Sequence, residues 1–401
     1  MDNTKSTELN RDIESKRKKN KGLGIFYRVF NGNIDVPFFM FVMILLTMGL
    51  IMMFSASYVS GLYEEGSSYY YIIRQLIFAV LGIIAMVIIS RVDYRFLRKI
   101  TFLIFGITMV LLFVVRLMPP VDGVYRWIPL GFFTIQPSEI AKFTIVIVLA
   151  HLIALHPNRM NDRKYTIFLL GIVALFTFMI MLEKHLSATI LIFAIGLSVL
   201  WVGGLWNKHK FALPLLLLLG IAVIAGLIIL IRFNPGINEH AYIRITSWLD
   251  KDYDPLGARW QTNNSLYAIG SGGFLGAGLG QSMQKFLYVS EPQNDFIFAI
   301  VCEELGFVGA TLIIILFGFL IYRGITISMR CKDMYSSLVV MGIVFQLGIQ
   351  VALNIAVVTD TIPNTGISLP FFSYGGTSLM MLLGEMGVVL SISRSANIEK
   401  L

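Results

Sequence analysis

Charge is scarce in this chain: Asp, Glu, Lys and Arg make up 14% of its 401 residues, against 56% hydrophobic. Soluble globular domains carry about 25% charged residues, so the balance excludes an ordinary water-soluble globule. Cysteine is nearly absent. Cys302 and Cys331 stand apart with no CxxC spacing, which excludes a disulfide framework, a zinc site and a redox pair. The short alternating segments of a membrane β-barrel are missing, and so is the internal repeat that marks many transporters. The first apolar run follows a 1–34 tail and is too long for a signal-peptide core, so Ser55-Ala56-Ser57 is not read as a cleavage site.

What the chain has instead is apolar runs of about 18–22 residues, the length that crosses a ~30 Å hydrocarbon core as a helix. Mean hydropathy is +0.76, and the expected fold is an all-α polytopic membrane bundle of about ten spans. These are Val36–Phe54, Ile72–Ser90, Thr101–Val115, Ile140–Ile153, Thr166–Leu182, Ser187–Gly204, Ala212–Ile231, Phe296–Tyr322, Leu338–Val358 and Ser378–Ser393. The organisation expected is a basic tail over 1–34, a membrane domain over 35–395 and a short 396–401 tail. Basic residues sort onto alternate ends: Lys16 to Lys21, then Arg91, Arg95, Arg98 and Lys99, then Arg159, Arg163 and Lys164, then Lys208 and Lys210, then Arg323, Arg330 and Lys332. The positive-inside rule makes those ends, and both termini, cytoplasmic. The net charge of +8 is thus a topology signal rather than a sign of nucleic-acid binding. The basic tail reads as solvated, with anionic lipid or a cytoplasmic partner as the other reading. One outward connection, 233–295, is far longer than the rest, and loops of that length are usually functional or folded on themselves.

Ionisable groups at membrane depth are costly, so each is a candidate for function. Glu139 and Lys142 stand three apart at the start of the fourth span, on one helical face. Glu183, Lys184 and His185 occupy the turn between spans five and six, and Glu303 and Glu304 fall in span eight. Either these are ion pairs that glue helices, or they line a polar cavity open to the outer leaflet. The long loop adds Arg244, Arg259, Gln261 and the alternating Asp250, Asp252 and Asp254. Pro255 stands where a calcium loop needs Gly, so that motif is rejected. The glycines from Gly270 to Gly280 follow no strand, which argues against a dinucleotide site. They suit close backbone packing, or backbone amides facing a phosphate. Asp295 ends the loop just before an apolar span, where partial desolvation would raise its pKa towards that of a general base. Position alone equally allows a helix N-cap.

Several long motifs then resemble, in order, the SEDS family of shape, elongation, division and sporulation proteins, which includes FtsW, RodA and SpoVE. They are GLIMMFSAS in the first span, RWIPLGFFTIQPSEIAK over 126–142 and SLYAIGSGGFLGAGLGQSMQK from Ser265. EPQNDFIFAIVCEELGFVG follows from Glu291, then LNIAVV from Leu353 and TIPNTGISLPFFSYGGTS over 361–378. The resemblance covers nearly all of the chain after the tail. It implies a glycosyltransferase that polymerises lipid II, the undecaprenyl-diphosphate-linked disaccharide-pentapeptide, at the outer face of the bacterial cytoplasmic membrane. It implies that Asp295 is the essential loop aspartate and that Glu139 and Lys142 are the polar pair of a central cavity. Arg126, Arg244, Gln261, Glu304, Ser373 and Tyr374 fall on family motif positions. A class B penicillin-binding transpeptidase and other divisome or elongasome membrane proteins are the implied partners.

The chemistry is compatible with those residues. A 4-hydroxyl attacks an anomeric carbon, Asp295 takes the hydroxyl proton, and cations such as Lys142, Arg126, Arg244 or Arg259 receive the leaving diphosphate, with a divalent cation (Mg²⁺ or Mn²⁺) plausible. One departure stands out: LEKHLSAT occupies the place where many family members read roughly PDLGT, with Lys184 and His185 at the Pro and Asp positions. The competing readings are a lipid II transporter, which would need the cavity charges but not Asp295, and a scaffold that would need neither.

Overall fold

In the computed structural model, residues 34–119, 125–129, 131, 134–183, 185–205 and 239–396 are described. Nine helices among them are long and apolar enough to cross a membrane. The expected span Ala212–Ile231, the tail before Ile34 and the residues after Ala396 lie outside the described set.

The helices run α1 (Val36–Glu65), α2 (Tyr70–Arg91), α3 (Tyr94–Val115), α4 (Pro137–Leu155), α5 (Arg163–Leu182) and α6 (Leu186–Leu200), followed by α7 (Glu239–Leu249) and α8 (Trp260–Gly272), then α9 (Ile297–Met329), α10 (Met334–Val358) and α11 (Gly376–Ser393). Two short strands, β1 (Ile128–Pro129) and β2 (Thr134–Ile135), pair antiparallel just before α4. Helix starts are set by local chemistry: Asp35, Asp93, Asp162 and Asp333 each cap a helix by accepting a backbone N–H in its first turn. Gly66, in the left-handed region at φ 72°, ends α1 eleven residues beyond the expected Phe54.

Helices α4, α6, α10 and α11 bury most of their apolar length, while α2, α3 and α5 leave most of theirs on the outside. The former are the interior of the bundle and the latter its lipid-facing wall, which explains why hydropathy alone marks both alike. Helix α2 packs along α11 at close range: a Cβ on Gly387 would stand 2.7 Å from the Met86 carbonyl oxygen. Where apolar surface is no driving force, small residues of this kind let backbones approach.

The basic ends gather on one side. Arg323 pairs with Asp35 at 2.8 Å, Asp35 N–H donates to Ser393, Arg394 donates to the Ser90 carbonyl and Tyr94 donates to Asp333. On the opposite side the connections fold inward and build the site.

The glycine-rich segment has a structural task there. Helix α9 breaks at Gly306 (φ 66°, ψ −169°), which frees backbone groups that the bilayer cannot satisfy. Ala277 and Gly278 N–H donate to the Glu303 and Glu304 carbonyls, while Phe307 and Val308 N–H donate to those of Gly273 and Phe274. The segment therefore mends the break in α9. At its end amides face carboxylates: Gly280 N–H donates to Glu304 and, just beyond, Met283 N–H to Glu303.

Candidate active site

Asp295 stands in the turn that leads into α9, and the backbone beneath it is held residue by residue. The Gln293 carbonyl accepts from Tyr374 N–H at 2.8 Å, the Asn294 carbonyl from Ser373 Oγ at 2.8 Å, and the Asp295 carbonyl from Asn354 Nδ2 at 2.8 Å. Three successive peptide units are thus pinned by α10 and by the loop before α11. The N-cap reading of Asp295 does not hold: Phe296 occupies the cap position and no side chain caps α9.

The Asp295 carboxylate accepts no hydrogen bond from a described residue. Facing it is Gly366, in the left-handed region at φ +72°; a Cβ there would lie 3.0 Å from Asp295 Oδ2 and 4.0 Å from Arg244 Nη1. Burial among protein atoms raises the Asp295 pKa to about 6, against the pull of Arg126 and Arg244 and with a push from Glu291. The side chain is nevertheless only half-buried, and Arg244 is exposed. Groups hemmed in by protein yet reachable by solvent are what the wall of a cleft presents. Arg244 responds in the complementary sense, its pKa lowered by burial and supported by Asp295.

Deeper in the bundle, Lys142 Nζ pairs with Glu139 Oε2 at 2.8 Å and donates to Gln350 Oε1 at 3.1 Å. Gln350 in turn donates to the Ser368 carbonyl, and Asn354 also donates to the Ile367 carbonyl. Segment 366–368 therefore connects the Lys142 pair to the Asp295 turn. Gln346 belongs to the same face of α10 and donates to the buried Glu385. The spacing of Gln346, Gln350 and Asn354, four residues apart, is a polar stripe along one helical face.

The turn before α6 contributes two further buried groups. Glu183 is wholly buried, with no hydrogen-bond partner among the described residues for either carboxylate oxygen; burial raises its pKa to about 8 while Arg126 opposes the rise. His185 is held well below its usual value by burial, then by Arg126, Lys142 and Arg244. Coulombic influence falls with distance, so all three cations converge on this pocket of the fold. His185 is neutral there, and Lys184 lies outside the described residues.

The structure thus brings Asp295, Arg126, Arg244, Glu139 and Lys142 into one region. Other candidates are occupied elsewhere. Glu304 does not line the cleft: its carboxylate accepts from Ser55 Oγ and Gly280 N–H and pairs with Lys285 at 3.0 Å. Glu303 accepts from Ser282 Oγ and Met283 N–H. Arg259 does not present a free cation: it pairs with Asp360 at 2.8 Å and donates to the Ser247 carbonyl. Gln261 donates to the Ser290 carbonyl and accepts from Asn364, so it braces the loop behind the site. Ser373 and Tyr374 act through the Asp295 turn, and the Tyr374 ring packs edge-on against Tyr71. Asn354, Gln350 and Gly366 were not singled out from sequence, although the four-residue polar spacing in α10 was a readable signal.

Comparison with known proteins agrees with this architecture. The cell cycle protein family FtsW/RodA/SpoVE matches residues 36–398. Stage V sporulation protein E of Bacillus subtilis is 42% identical over 365 residues, covering 90% of this chain and 97% of its own. A probable peptidoglycan glycosyltransferase FtsW of Trichlorobacter lovleyi is 32% identical over 376 residues, covering 92% and 95%. In fold, a chain of a solved peptidoglycan synthase complex superimposes with TM-score 0.71 at 23% identity, over 90% of this chain and 98% of that one. The rod shape determining protein RodA of Thermus thermophilus does so with TM-score 0.65 at 24% identity, over 91% and 98%.

Proposed function

This chain belongs to the FtsW/RodA/SpoVE family of multi-pass membrane proteins, and from that premise we propose that it is a peptidoglycan glycosyltransferase that extends glycan strands from lipid II. The observation that carries the reading is the Asp295 carboxylate: free of hydrogen bonds from the described residues, raised to about 6, and under the influence of Arg126 and Arg244. In the forward step the 4-hydroxyl oxygen of the acceptor sugar bonds to the anomeric carbon of the donor. Asp295 takes the hydroxyl proton, and the bond from that carbon to the diphosphate oxygen breaks. Arg244 and Arg126 face the charge that develops on the departing diphosphate, where fixed cations are most effective, and the deeper Lys142, already paired with Glu139, adds to the field behind them. A general base of this kind typically contributes about 10²–10⁴-fold.

Among the described residues no three carboxylate, His or Cys side chains gather as a metal site. Asp295 would be the carboxylate to share a Mg²⁺ or Mn²⁺ with a diphosphate, a mode in which one or two protein carboxylates suffice. Such an ion would supply further charge for the leaving group.

The basic side of the bundle faces the cytoplasm by the positive-inside rule, which puts the Asp295 cleft on the outer side. A penicillin-binding transpeptidase is the partner this reading implies, since strands made here need crosslinking. The test is strand synthesis from labelled lipid II by the purified chain with a transpeptidase whose serine is inactivated, for wild type and Asp295→Asn. Glycan ladders from wild type and none from the folded variant support the proposal. Equal ladders remove Asp295 from the chemistry. Absence of product from both, with the lipid II proven usable by another polymerase, favours lipid transport and calls for a flipping assay.

A further inference from the structure

At the opposite end of the bundle lies a cavity of about 480 Å³, outside the cleft just described. Its walls are the first turns of α3, the last turn of α4 and the start of α10. Arg95, Arg98 and Lys99 enter it from one face of α3, at spacings of three and four that put them side by side. None of the three forms an ion pair with a described residue. Asp333 is the sole acidic residue in the lining, and its carboxylate is already engaged: it accepts from Tyr94 Oη at 2.7 Å, Ser336 N–H at 3.0 Å and Ser336 Oγ at 2.9 Å.

Two further polar groups in the wall form no well-aligned hydrogen bond among the described residues. Tyr335 is 1% exposed, and its hydroxyl stands beside Thr101 without a well-aligned hydrogen bond among the described residues; the Thr101 hydroxyl donates to the Leu97 carbonyl. His151 Nδ1 is buried and lies near the Arg98 backbone, again without a well-aligned partner among the described residues. The Arg98 guanidinium lies 5.6 Å from the centre of the Tyr335 ring, which keeps it at the cavity rather than extended into water. Three cations that share one lining carboxylate, the already engaged Asp333, beside buried hydrogen-bonding groups with no well-aligned partner among the described residues, form a site built for an anion.

We propose that this cavity binds a phosphate group, and that its source is the phosphodiester headgroup of an anionic phospholipid. Phosphate matches the wall because its oxygens accept from guanidinium, ammonium and hydroxyl donors together. The lipid is favoured by place. The cavity is framed by the ends of three membrane-spanning helices, at the level of lipid headgroups, on the basic side that faces the anionic cytoplasmic leaflet. Basic pockets between helices at that level are a recognised setting for anionic headgroups.

The test uses the full chain in nanodiscs of phosphatidylcholine, alone or with phosphatidylglycerol, and counts retained lipid by native mass spectrometry. Inorganic phosphate is offered in a parallel arm as a competitor. The variant is Arg98→Gln with Lys99→Gln. The control, Arg163→Gln with Lys164→Gln, removes the same charge from the same side on α5. Wild type and control should retain phosphatidylglycerol over phosphatidylcholine, and the cavity variant should lose that preference roughly 10-fold or more. Matching thermal unfolding in pure phosphatidylcholine verifies the fold, and Arg95→Gln replaces the double variant if it unfolds. Displacement by millimolar inorganic phosphate supports the phosphate chemistry and moves the source to a soluble ligand. Equal losses in variant and control, or no headgroup preference in wild type, overturn the proposal.

Discussion

The side-chain amide of Asn354 donates to the main-chain carbonyl of Asp295 at 2.8 Å and to that of Ile367 at 2.6 Å. One buried amide on α10 thereby fixes both walls of the cleft, the turn that carries the proposed base and the segment that faces it. Asn354 is 0% exposed and spends its amide on two main-chain carbonyls, so its part is positioning. Asn354→Ala should keep the fold and lower kcat for strand synthesis roughly 10–100-fold, the scale on which small misplacements of reacting groups act. The KM for lipid II should change far less. A collapse of KM with kcat unchanged would place Asn354 in substrate binding instead.

The pH profile of the reaction tests Asp295 directly. A general base works as the carboxylate, and burial raises its pKa from 3.8 to about 6. Activity should therefore fall as pH drops through about 6 and level off above it; an acid limb near 4 would mean that the base is not desolvated. Asp295→Asn should remove about 10²–10⁴-fold of rate and abolish that limb. Arg244→Gln should shift the limb upward, because one of the two cations that oppose the rise is lost. Initial rates between pH 5 and 8 in a fixed lipid mixture provide the measurement.

Much of the scaffold was legible because the bilayer writes itself into composition: nine of the ten expected apolar runs are helices of spanning length, and Ala212–Ile231 lies outside the described residues. Asp295 was legible as a residue, not as a role, since base and N-cap predict the same position; the structure removes the cap reading by placing Phe296 there. Glu304 and Arg259 were legible as charges but not in the partners that hold them, for a physical reason. A buried charge announces itself in sequence, whereas its partner does not, and the partners here come from 19 and 101 residues away. The purpose of the glycine run was equally hidden, because nothing local to Gly270–Gly280 reveals that α9 breaks at Gly306 and needs mending.

Gly366 offers a steric test of the same cleft. It sits at φ +72°, a region that costs an L-residue about 1–2 kcal/mol. A Cβ there would also come within 3.0 Å of Asp295 Oδ2, so the carboxylate must give way. Gly366→Ala should lower activity at least roughly 10-fold while the chain still inserts and binds lipid II, since the strain is local and the displaced group is the base. Activity equal to wild type would show that the Asp295 side chain is free to move without consequence, against its assignment as a positioned base.

Glu304 is expected to matter for stability rather than chemistry. Its carboxylate is 1% exposed and receives Lys285 Nζ, Ser55 Oγ and Gly280 N–H, which ties α1, α9 and the glycine-rich segment together. Glu304→Gln removes the counter-charge of a lysine whose side chain is 4% exposed. Breaking a buried pair from one side costs about 3–5 kcal/mol, because the surviving charge is left in a poor solvent. Lys285 keeps the Gly280 carbonyl at 2.7 Å as an acceptor, which softens the loss without cancelling it. The variant should therefore unfold at a clearly lower temperature in detergent. Its turnover per folded molecule, measured below that temperature, should stay within a few-fold of wild type. Adding Lys285→Met should recover part of the stability, as replacing both members of a buried pair by neutral groups commonly does. A Glu304→Gln protein of wild-type stability with no activity would reverse the assignment and return this carboxylate to the reaction.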